Sequence, residues 1–209
     1  MSAKTVFAGV AGAVLLAAAL PAAAGQILLQ DNFDADAQVL NWVGDSVFTS
    51  TAAPASVDLI GTGFFDFQPG HGNYVDLDGS SGNGHEPAGQ LTSALSFGPG
   101  SYTLTFDLAG NQRGAASQST TVSLGDFSAT YGPLLSGVNF TTQTVNFTTT
   151  TAGHLIFTEH GPSDQQGNLL DNVTLSTGGV PEPASWALMI LGFGGVGAAL
   201  RSRARAAFA

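Results

Sequence analysis

The sequence places a carboxylate where a buried apolar residue is expected. Residues 169–175 alternate in type, and Asp171 falls on the same side of the run as Leu169, Val173 and Leu175. This alternation predicts a strand with one buried face, so we expect Asp171 to be buried. Because burying an unpaired charge is costly, Asp171 needs hydrogen bonds, a counter-charge or a metal ion. Three alternatives stay open for Asp171: it caps backbone N–H groups in the preceding turn, it pairs with Arg113, or it binds a cation.

Asp31 raises the same question, because it alternates with Ile27, Leu29 and Phe33. Carboxylate and carbonyl oxygens are the ligands that Ca²⁺ prefers in proteins. The sequence therefore suggests a structural Ca²⁺ site that uses Asp171 with Asp31 or Asp34. No other cofactor is indicated.

Aromatic side chains near turn-forming residues are candidates for sugar binding, since aromatic faces can stack on the apolar faces of pyranose rings. The alternative is the core, where most aromatic residues bury their area. Two aspartates also precede the Gly, Ser and Asn loop at 79–84, whose oxygens suit a sugar or a metal, although solvated acidic turns are common. The ligand-binding candidates are Trp42, Phe64, Phe65, Tyr131, Asp76 and Asp78.

Several kinds of catalytic site are absent from the sequence. There is no cysteine, which excludes disulfides, thiolate zinc sites and a cysteine nucleophile. The four histidines lack zinc-ligand spacing, and no Gly-x-Ser-x-Gly occurs. Any acidic domain supplies carboxylate pairs for glycoside hydrolysis, so counting acids does not decide that activity. We expect a protein that is not an enzyme.

The charge distribution is strongly asymmetric. Residues 25–180 contain fourteen carboxylates and a single arginine, Arg113, for a formal charge of −13. Nucleic-acid binding needs a basic surface, so no nucleic-acid partner is expected. An acidic surface also keeps an exported domain soluble.

Short runs of period-two alternation predict the elements that must position these residues. Tyr102, Leu104, Phe106 and Leu108 alternate with polar residues, as in a half-buried strand. Glycine-rich turns separate the runs, which predicts an all-β antiparallel β-sandwich or jelly roll over residues 25–178. The other predicted strands cover residues 26–33, 57–60, 73–77, 90–97, 120–124, 127–131, 138–147, 154–158 and 169–175.

The first 24 residues have the pattern of a secretory signal peptide. Lys4 precedes an apolar run from Val6 to Leu20, and Ala22-Ala23-Ala24 follows. The run has fifteen residues, fewer than the roughly 20 that a membrane span needs. We therefore expect a signal helix that the Sec translocon and signal peptidase handle, with cleavage after Ala24.

Residues 180–205 contain a Pro-Glu-Pro triplet, an apolar stretch and a basic tail. The stretch 184–200 carries no charge, and at about 1.5 Å per residue it is just long enough to be a transmembrane helix. Three arginines after it predict a cytoplasmic end, with the acidic domain outside. A plain type I anchor would have the same topology without the triplet. The residues that define this segment are Pro181, Glu182, Pro183, Trp186, Arg201, Arg203 and Arg205.

This segment resembles the PEP-CTERM sorting signal in the Pro-Glu-Pro triplet, the glycine-rich apolar helix and the basic tail. The resemblance implies that an exosortase recognises Pro181, Glu182 and Pro183 and removes the helix. The inner-membrane anchor would then be transient, and the mature domain would lie at the cell surface or outside the cell. Hosts of this system tend to make exopolysaccharide and biofilm.

Three segments of the middle resemble the galactose-binding-like jelly rolls of bacterial "choice-of-anchor" proteins: 72–79 (GNYVDLDG), 100–111 (GSYTLTFDLAGN) and 167–175 (GNLLDNVTL). Those domains are associated with polysaccharide-rich walls or matrices. In such folds the first and last strands are commonly neighbours, which would bring Asp31 towards Asp171, and two like charges would then need a cation between them.

The sequence thus predicts an exported, exosortase-sorted surface or matrix protein whose non-catalytic sandwich binds extracellular polysaccharide. A purely structural or protein-binding surface module is the alternative. An extracellular glycan hydrolase is a third hypothesis.

Overall fold

The computed structural model describes residues 25–50, 55–80, 89–114, 116–162, 164–178, 192–196 and 201. Residues 24–179 form a compact unit of their own. The described part of this unit contains twelve strands in two antiparallel sheets. They are β1 (Ile27–Asp31), β2 (Val39–Trp42), β3 (Phe48–Ser50), β4 (Val57–Gly61), β5 (Asn73–Asp76), β6 (Gln90–Phe97), β7 (Gly100–Ala109), β8 (Gln118–Leu124), β9 (Phe127–Leu134), β10 (Thr141–Thr149), β11 (Gly153–His160) and β12 (Leu169–Thr177).

The seven-stranded sheet has the order β10-β7-β12-β5-β4-β2, and β1 also pairs with β12. The five-stranded sheet has the order β3-β6-β11-β8-β9. The predicted β-sandwich is confirmed, and so is the pairing of the first strand with the last: Asp31 lies opposite Val173.

The main core lies between the two sheets. Alternate residues of β7, including Leu104 and Phe106, point into it, as the sequence pattern predicts. Phe106 meets Phe157 of the other sheet with ring centroids 5.3 Å apart, and Phe48 packs against Phe157 at 6.4 Å. The Phe106–Phe157 pair joins the two sheets, whereas Phe48 and Phe157 both belong to the five-stranded sheet.

A second, smaller apolar cluster lies on the opposite face of the seven-stranded sheet. In β4, Leu59 faces the main core and Ile60 the second cluster; in β5, Val75 and Tyr74 divide in the same way. The β4–β5 connection folds over this cluster, and its backbone N–H groups at Phe67 and Gln68 donate to the Tyr74 hydroxyl at 2.6 and 2.9 Å. This connection builds one wall of the site described below.

The alternation predicted for Asp171 is interrupted in the structure. A β-bulge lies between Asp171 and Thr174, and Asn172 there has a left-handed backbone with φ 51°. Leu169 packs in the second cluster, whereas Val173 packs in the main core. Asp171 is buried as predicted, but it does not lie on the same side of the sheet as Val173. The bulge shifts the alternation of side chains between these two residues.

The predicted terminal segments lie largely outside the described residues, which include none of residues 1–24. Of the predicted span at 184–200, residues 192–196 are helical. No helix among the described residues is long and apolar enough to cross a membrane.

Candidate functional site

A cavity of about 250 Å³ opens on the face of the seven-stranded sheet that carries the second cluster. Polar groups form part of its lining and aromatic rings another part. Its lining residues are Leu40, Asp58, Ile60, Phe65, Phe67, Asp76, Ser80, Arg113 and Gln165.

Two aspartates meet in the cavity because of the pairing of β4 with β5. Asp58 lies directly opposite Asp76, and both side chains face away from the main core. Like charges in directly opposed positions destabilise a sheet, so this arrangement requires compensation.

Arg113 supplies the compensating charge. Its Nη2 forms an ion pair with Asp76 Oδ2, its Nη1 donates to the Gln165 carbonyl at 2.8 Å, and its Nε donates to the Asn111 carbonyl at 3.1 Å. The guanidinium carbon lies 4.7 Å from the centroid of the Phe67 ring, in cation–π range. Arg113 therefore fixes the wall of the cavity, and it pairs with Asp76 rather than with Asp171.

Asp76 is 1% exposed and has further partners. Its Oδ1 accepts the backbone N–H groups of Asp78 at 3.1 Å and Gly167 at 2.8 Å. Burial raises the pKa of Asp76, and Arg113 opposes this rise. The guanidinium is in direct contact with the carboxylate, and this ion pair favours the ionised form of Asp76.

Asp58 is held by its own set of donors. Its Oδ1 accepts the backbone N–H groups of Asn41 at 2.7 Å and Ser80 at 3.0 Å, and the Ser80 hydroxyl donates to Oδ2. Asp58 and Asp76 thus use their oxygens to join strands and loops around the cavity.

The rim of the cavity carries an exposed aromatic ring. Phe65 is 53% exposed, and its ring centroid lies 4.8 Å from that of Phe64 and 6.4 Å from that of Phe67. Its backbone is left-handed with φ 53°, which is rare for an aromatic residue and costs about 1 kcal/mol. Strain of this kind concentrates at ligand-binding sites.

The structure brings some of the predicted ligand-binding residues together. Phe65 and Asp76 line the cavity, and Phe64 packs against Phe65. Asp78 lies behind the cavity, where its Oδ2 accepts the N–H groups of residues 164–166 and so fixes the loop that carries Gln165.

Two predicted residues lie elsewhere. Trp42 is 4% exposed in the main core, edge-on to Phe33, so its faces are covered. Tyr131 packs against Phe106 with ring centroids 5.0 Å apart. Neither residue lines the cavity, because proximity to a turn does not show which way a ring points; a ligand-binding role for Tyr131 stays a prediction.

Sequence reasoning did not select Arg113, Asp58 or Phe67 for this site. A signal for Arg113 was present, since it is the one cation in an acidic domain and had to meet some buried carboxylate. Nothing in the sequence indicated which carboxylate that would be.

The residues predicted to hold Ca²⁺ lie near the β1–β12 pairing. Asp31 Oδ2 is buried and has no hydrogen-bond partner in the described part of the chain, and its Oδ1 accepts the Phe33 N–H at 2.8 Å. Burial, opposed by the Phe33 N–H and helped by the charges of Asp45 and Asp36, raises the pKa of Asp31 to about 6. An orphaned carboxylate oxygen among like charges fits a cation in chemical terms.

The other two predicted ligands have partners. Asp171 Oδ1 accepts the Asn172 N–H at 2.7 Å, and burial raises the pKa of Asp171 to about 7, opposed by this bond. Asp34 Oδ1 accepts the Asn73 N–H at 2.8 Å. Among the described residues, no three His, Cys, Asp or Glu side chains are grouped to hold a metal ion. The Ca²⁺ site at Asp31, Asp34 and Asp171 stays a prediction.

Comparison with protein-family models finds a match at the carboxyl end, where residues 179–204 match the PEP-CTERM protein-sorting motif. The chain carries a PEP-CTERM sorting signal. No curated protein matches the sequence.

Two solved structures are similar to this chain, and the first of them supports the fold. The K3 cleaved adhesin domain of Lys-gingipain from Porphyromonas gingivalis W83 is 14% identical, with a TM-score of 0.50 over 73% of this chain and 99% of that chain. The CBM22-1 xylan-binding domain of Xyn10C from Paenibacillus barcinonensis is 13% identical, with a TM-score of 0.44 over 74% of this chain and 96% of that chain.

The PEP-CTERM match covers the predicted triplet, Trp186, Arg201 and Arg203, and ends one residue before Arg205. Of these residues the structure describes Arg201, which is helical and exposed. The PEP-CTERM motif indicates an exported protein with a membrane-anchoring sorting signal, and it implies processing by an exosortase.

Proposed function

We propose that this chain is an exported, exosortase-processed protein of the cell surface or extracellular matrix, and that its sandwich binds polysaccharide at the cavity beside Phe65. The observation that carries the proposal is an exposed aromatic ring at the rim of a cavity with carboxylates in its lining. A pyranose presents an apolar face and a ring of hydroxyls. Phe65 would take the apolar face, and the polar lining would take the hydroxyls.

The charge of the lining favours a neutral glycan. Each nitrogen of Arg113 is engaged by protein oxygens. Asp58 and Asp76 leave negative potential in the cavity, which would repel uronate carboxylates.

The same contacts oppose a hydrolase. A glycosidase needs one carboxyl group to donate a proton and another to act on the sugar or a water. In this cavity both carboxylates accept hydrogen bonds from the protein, and Asp76 is paired with Arg113. Binding without catalysis therefore suits the geometry better.

Export would begin with the signal peptide at residues 1–24, which the Sec translocon and signal peptidase handle. The exosortase then acts at Pro181, Glu182 and Pro183, and residues from about 26 to about 180 remain as the mature domain. Release from the transient inner-membrane anchor would place the domain in exopolysaccharide or biofilm.

The binding test compares Phe65→Ala with Leu95→Ala, a control at a side chain that is 61% exposed on the five-stranded sheet. We expect the wild type and Leu95→Ala to bind the same neutral glycans on an array. Phe65→Ala should bind about tenfold more weakly, for a stacking contribution of about 1.5 kcal/mol, with an unchanged melting temperature.

Other outcomes identify the alternatives. A wild type that retains no glycan at all supports a purely structural or protein-binding module. Release of soluble sugar that stops in Asp76→Asn identifies a glycan hydrolase.

A further inference from the structure

A buried polar cluster lies where β8 and β11 of the five-stranded sheet meet the loop before β12. Glu159 lies directly opposite Thr120 in the β11–β8 pairing, and Gln118 precedes Thr120 on the same face of β8. The exposed fractions are 4% for Glu159, 1% for Gln118, and 0% for Thr120 and Asn168.

Hydrogen bonds link these side chains. The Thr120 hydroxyl donates to Glu159 Oε2 at 2.6 Å, and the Asn168 N–H donates to Oε1 at 3.3 Å. Asn168 Nδ2 donates to the Thr120 hydroxyl at 3.1 Å. Gln118 Nε2 reaches the same loop and donates to the Gln166 carbonyl at 2.6 Å.

Two oxygens of the cluster have no donor among the residues that the structure describes. Asn168 Oδ1 and Gln118 Oε1 are buried and unpartnered, although the nitrogens of the same amide groups are bonded. Buried acceptors of this kind are rare in folded proteins, and a bound water or ion is the usual explanation for them.

Glu159 also has no counter-charge within the described residues. The ion pair found among the described residues joins Arg113 to Asp76, and the charge that acts on Glu159 is another anion, Asp78. Burial raises the pKa of Glu159 to about 7, opposed by its bonds with Thr120 and Asn168. An ionised Glu159 is therefore costly as it stands.

We propose that Glu159, Asn168 Oδ1 and Gln118 Oε1 bind a hard divalent cation, with Ca²⁺ as the fitting ion. A proton on Glu159 would neutralise one charge and could serve one orphaned acceptor. A single oxygen-seeking cation neutralises the carboxylate and satisfies both amide oxygens. This site uses one carboxylate and amide oxygens, and it is separate from Asp31 and Asp171, which lie in the seven-stranded sheet.

The test uses the full-length chain in detergent at pH 8, treated with EGTA and then titrated with CaCl₂ by calorimetry and thermal melting. At a Ca²⁺ concentration about 100 times the Kd, the melting temperature of the wild type should rise by roughly 5–10 °C. Glu159→Gln should lose this rise, and Asp171→Asn should keep it.

Gln118→Glu provides a second readout that does not depend on the folding of Glu159→Gln. An added carboxylate at a cation site should tighten Ca²⁺ binding about tenfold. Weaker or absent binding in Gln118→Glu overturns the proposal, since the added charge would then only repel Glu159. The proposal is also overturned if Ca²⁺ does not change the melting temperature of the wild type. A rise that is lost in Asp171→Asn but kept in Glu159→Gln overturns it as well.

Discussion

Five carboxylates of the described domain are almost completely buried, and they differ in what stabilises them. Asp76 has a cation, Arg113, in direct contact. The remaining four accept hydrogen bonds from uncharged donors. The five are Asp58, Asp76, Asp78, Glu159 and Asp171. Because one guanidinium supports both a buried charge and the loop at Gln165, Arg113 should have a large effect on stability.

We predict that Arg113→Met lowers the free energy of unfolding by about 3–5 kcal/mol, because it leaves Asp76 buried and unpaired. Adding Asp76→Asn to the same chain should recover part of this loss, since the uncompensated charge is then gone. Urea unfolding of both variants measures the difference. A double variant no more stable than Arg113→Met would show that the charge of Asp76 is not the cause.

Residue types alone revealed part of the cavity. Phe65 and Asp76 were predicted as ligand-binding residues from their type and their proximity to turns. The pairing of Arg113 with Asp76 depends on strand order, which brings residues 37 positions apart into contact. Local sequence patterns carry no such information, and for the same reason Trp42 was assigned to a site when it lies in the core.

At the scale of elements, one bulge determines which side of the sheet the side chains of β12 face. Asn172 takes a left-handed backbone there, and its Nδ2 donates to Asp107 Oδ2 at 2.9 Å and to Asp171 Oδ2 at 3.2 Å. Asn tolerates this conformation better than most residues. The bulge turns Asp171 away from the core that Val173 enters.

We predict that Asn172→Val destabilises the domain by about 2 kcal/mol, because a β-branched residue is strained at φ 51° and the side-chain donor is lost. Asn172→Gly should cost less, since glycine adopts this backbone freely and loses only the donor. Guanidinium unfolding compares the two. Equal losses would mean that the hydrogen bonds, and not the backbone conformation, determine the effect.

Alternation predicted most strands well. β7 alternates over almost its whole length, and its burial pattern follows the sequence. β2 and β3 were not predicted, because β2 has one buried side chain, Trp42, in four residues, and β3 has only three residues. The sequence of β2, VLNW, has no regular alternation of apolar and polar residues to recognise, and β3 is too short to show one.

At the scale of the molecule, buried carboxyl groups determine the response to pH. Burial raises the pKa to about 7 for Glu159 and Asp171 and to about 6 for Asp31, so these groups take up protons on folding. In EGTA, the stability that these groups contribute is fully present below their pKa in the unfolded chain, which is about 4. It is lost as the pH rises through about 7. Hydrogen bonds lower the pKa of Asp126, whose contribution is lost in acid.

We therefore predict that the melting temperature in EGTA rises as the pH falls from 8 to about 5. Glu159→Gln should flatten this dependence, because its amide does not titrate. Calorimetry across this pH range makes the comparison. A melting temperature that falls steadily from pH 8 to pH 5 would contradict the prediction.

Processing is the last property of the whole chain that can be tested, and it separates sorting from binding. Alanine at Pro181, Glu182 and Pro183 should leave a product that keeps Trp186 and the arginines, because the exosortase no longer recognises the chain. The wild type should lose them, and in a host without an exosortase it should keep them. Phe65→Ala should be processed like the wild type, since the cavity residue lies outside the PEP-CTERM match. Intact mass measurement of tagged protein from each strain gives the answer. A wild-type product that still contains Trp186 in the exosortase-positive host would mean that the acidic domain remains tethered, and polysaccharide binding would then have to occur at the membrane.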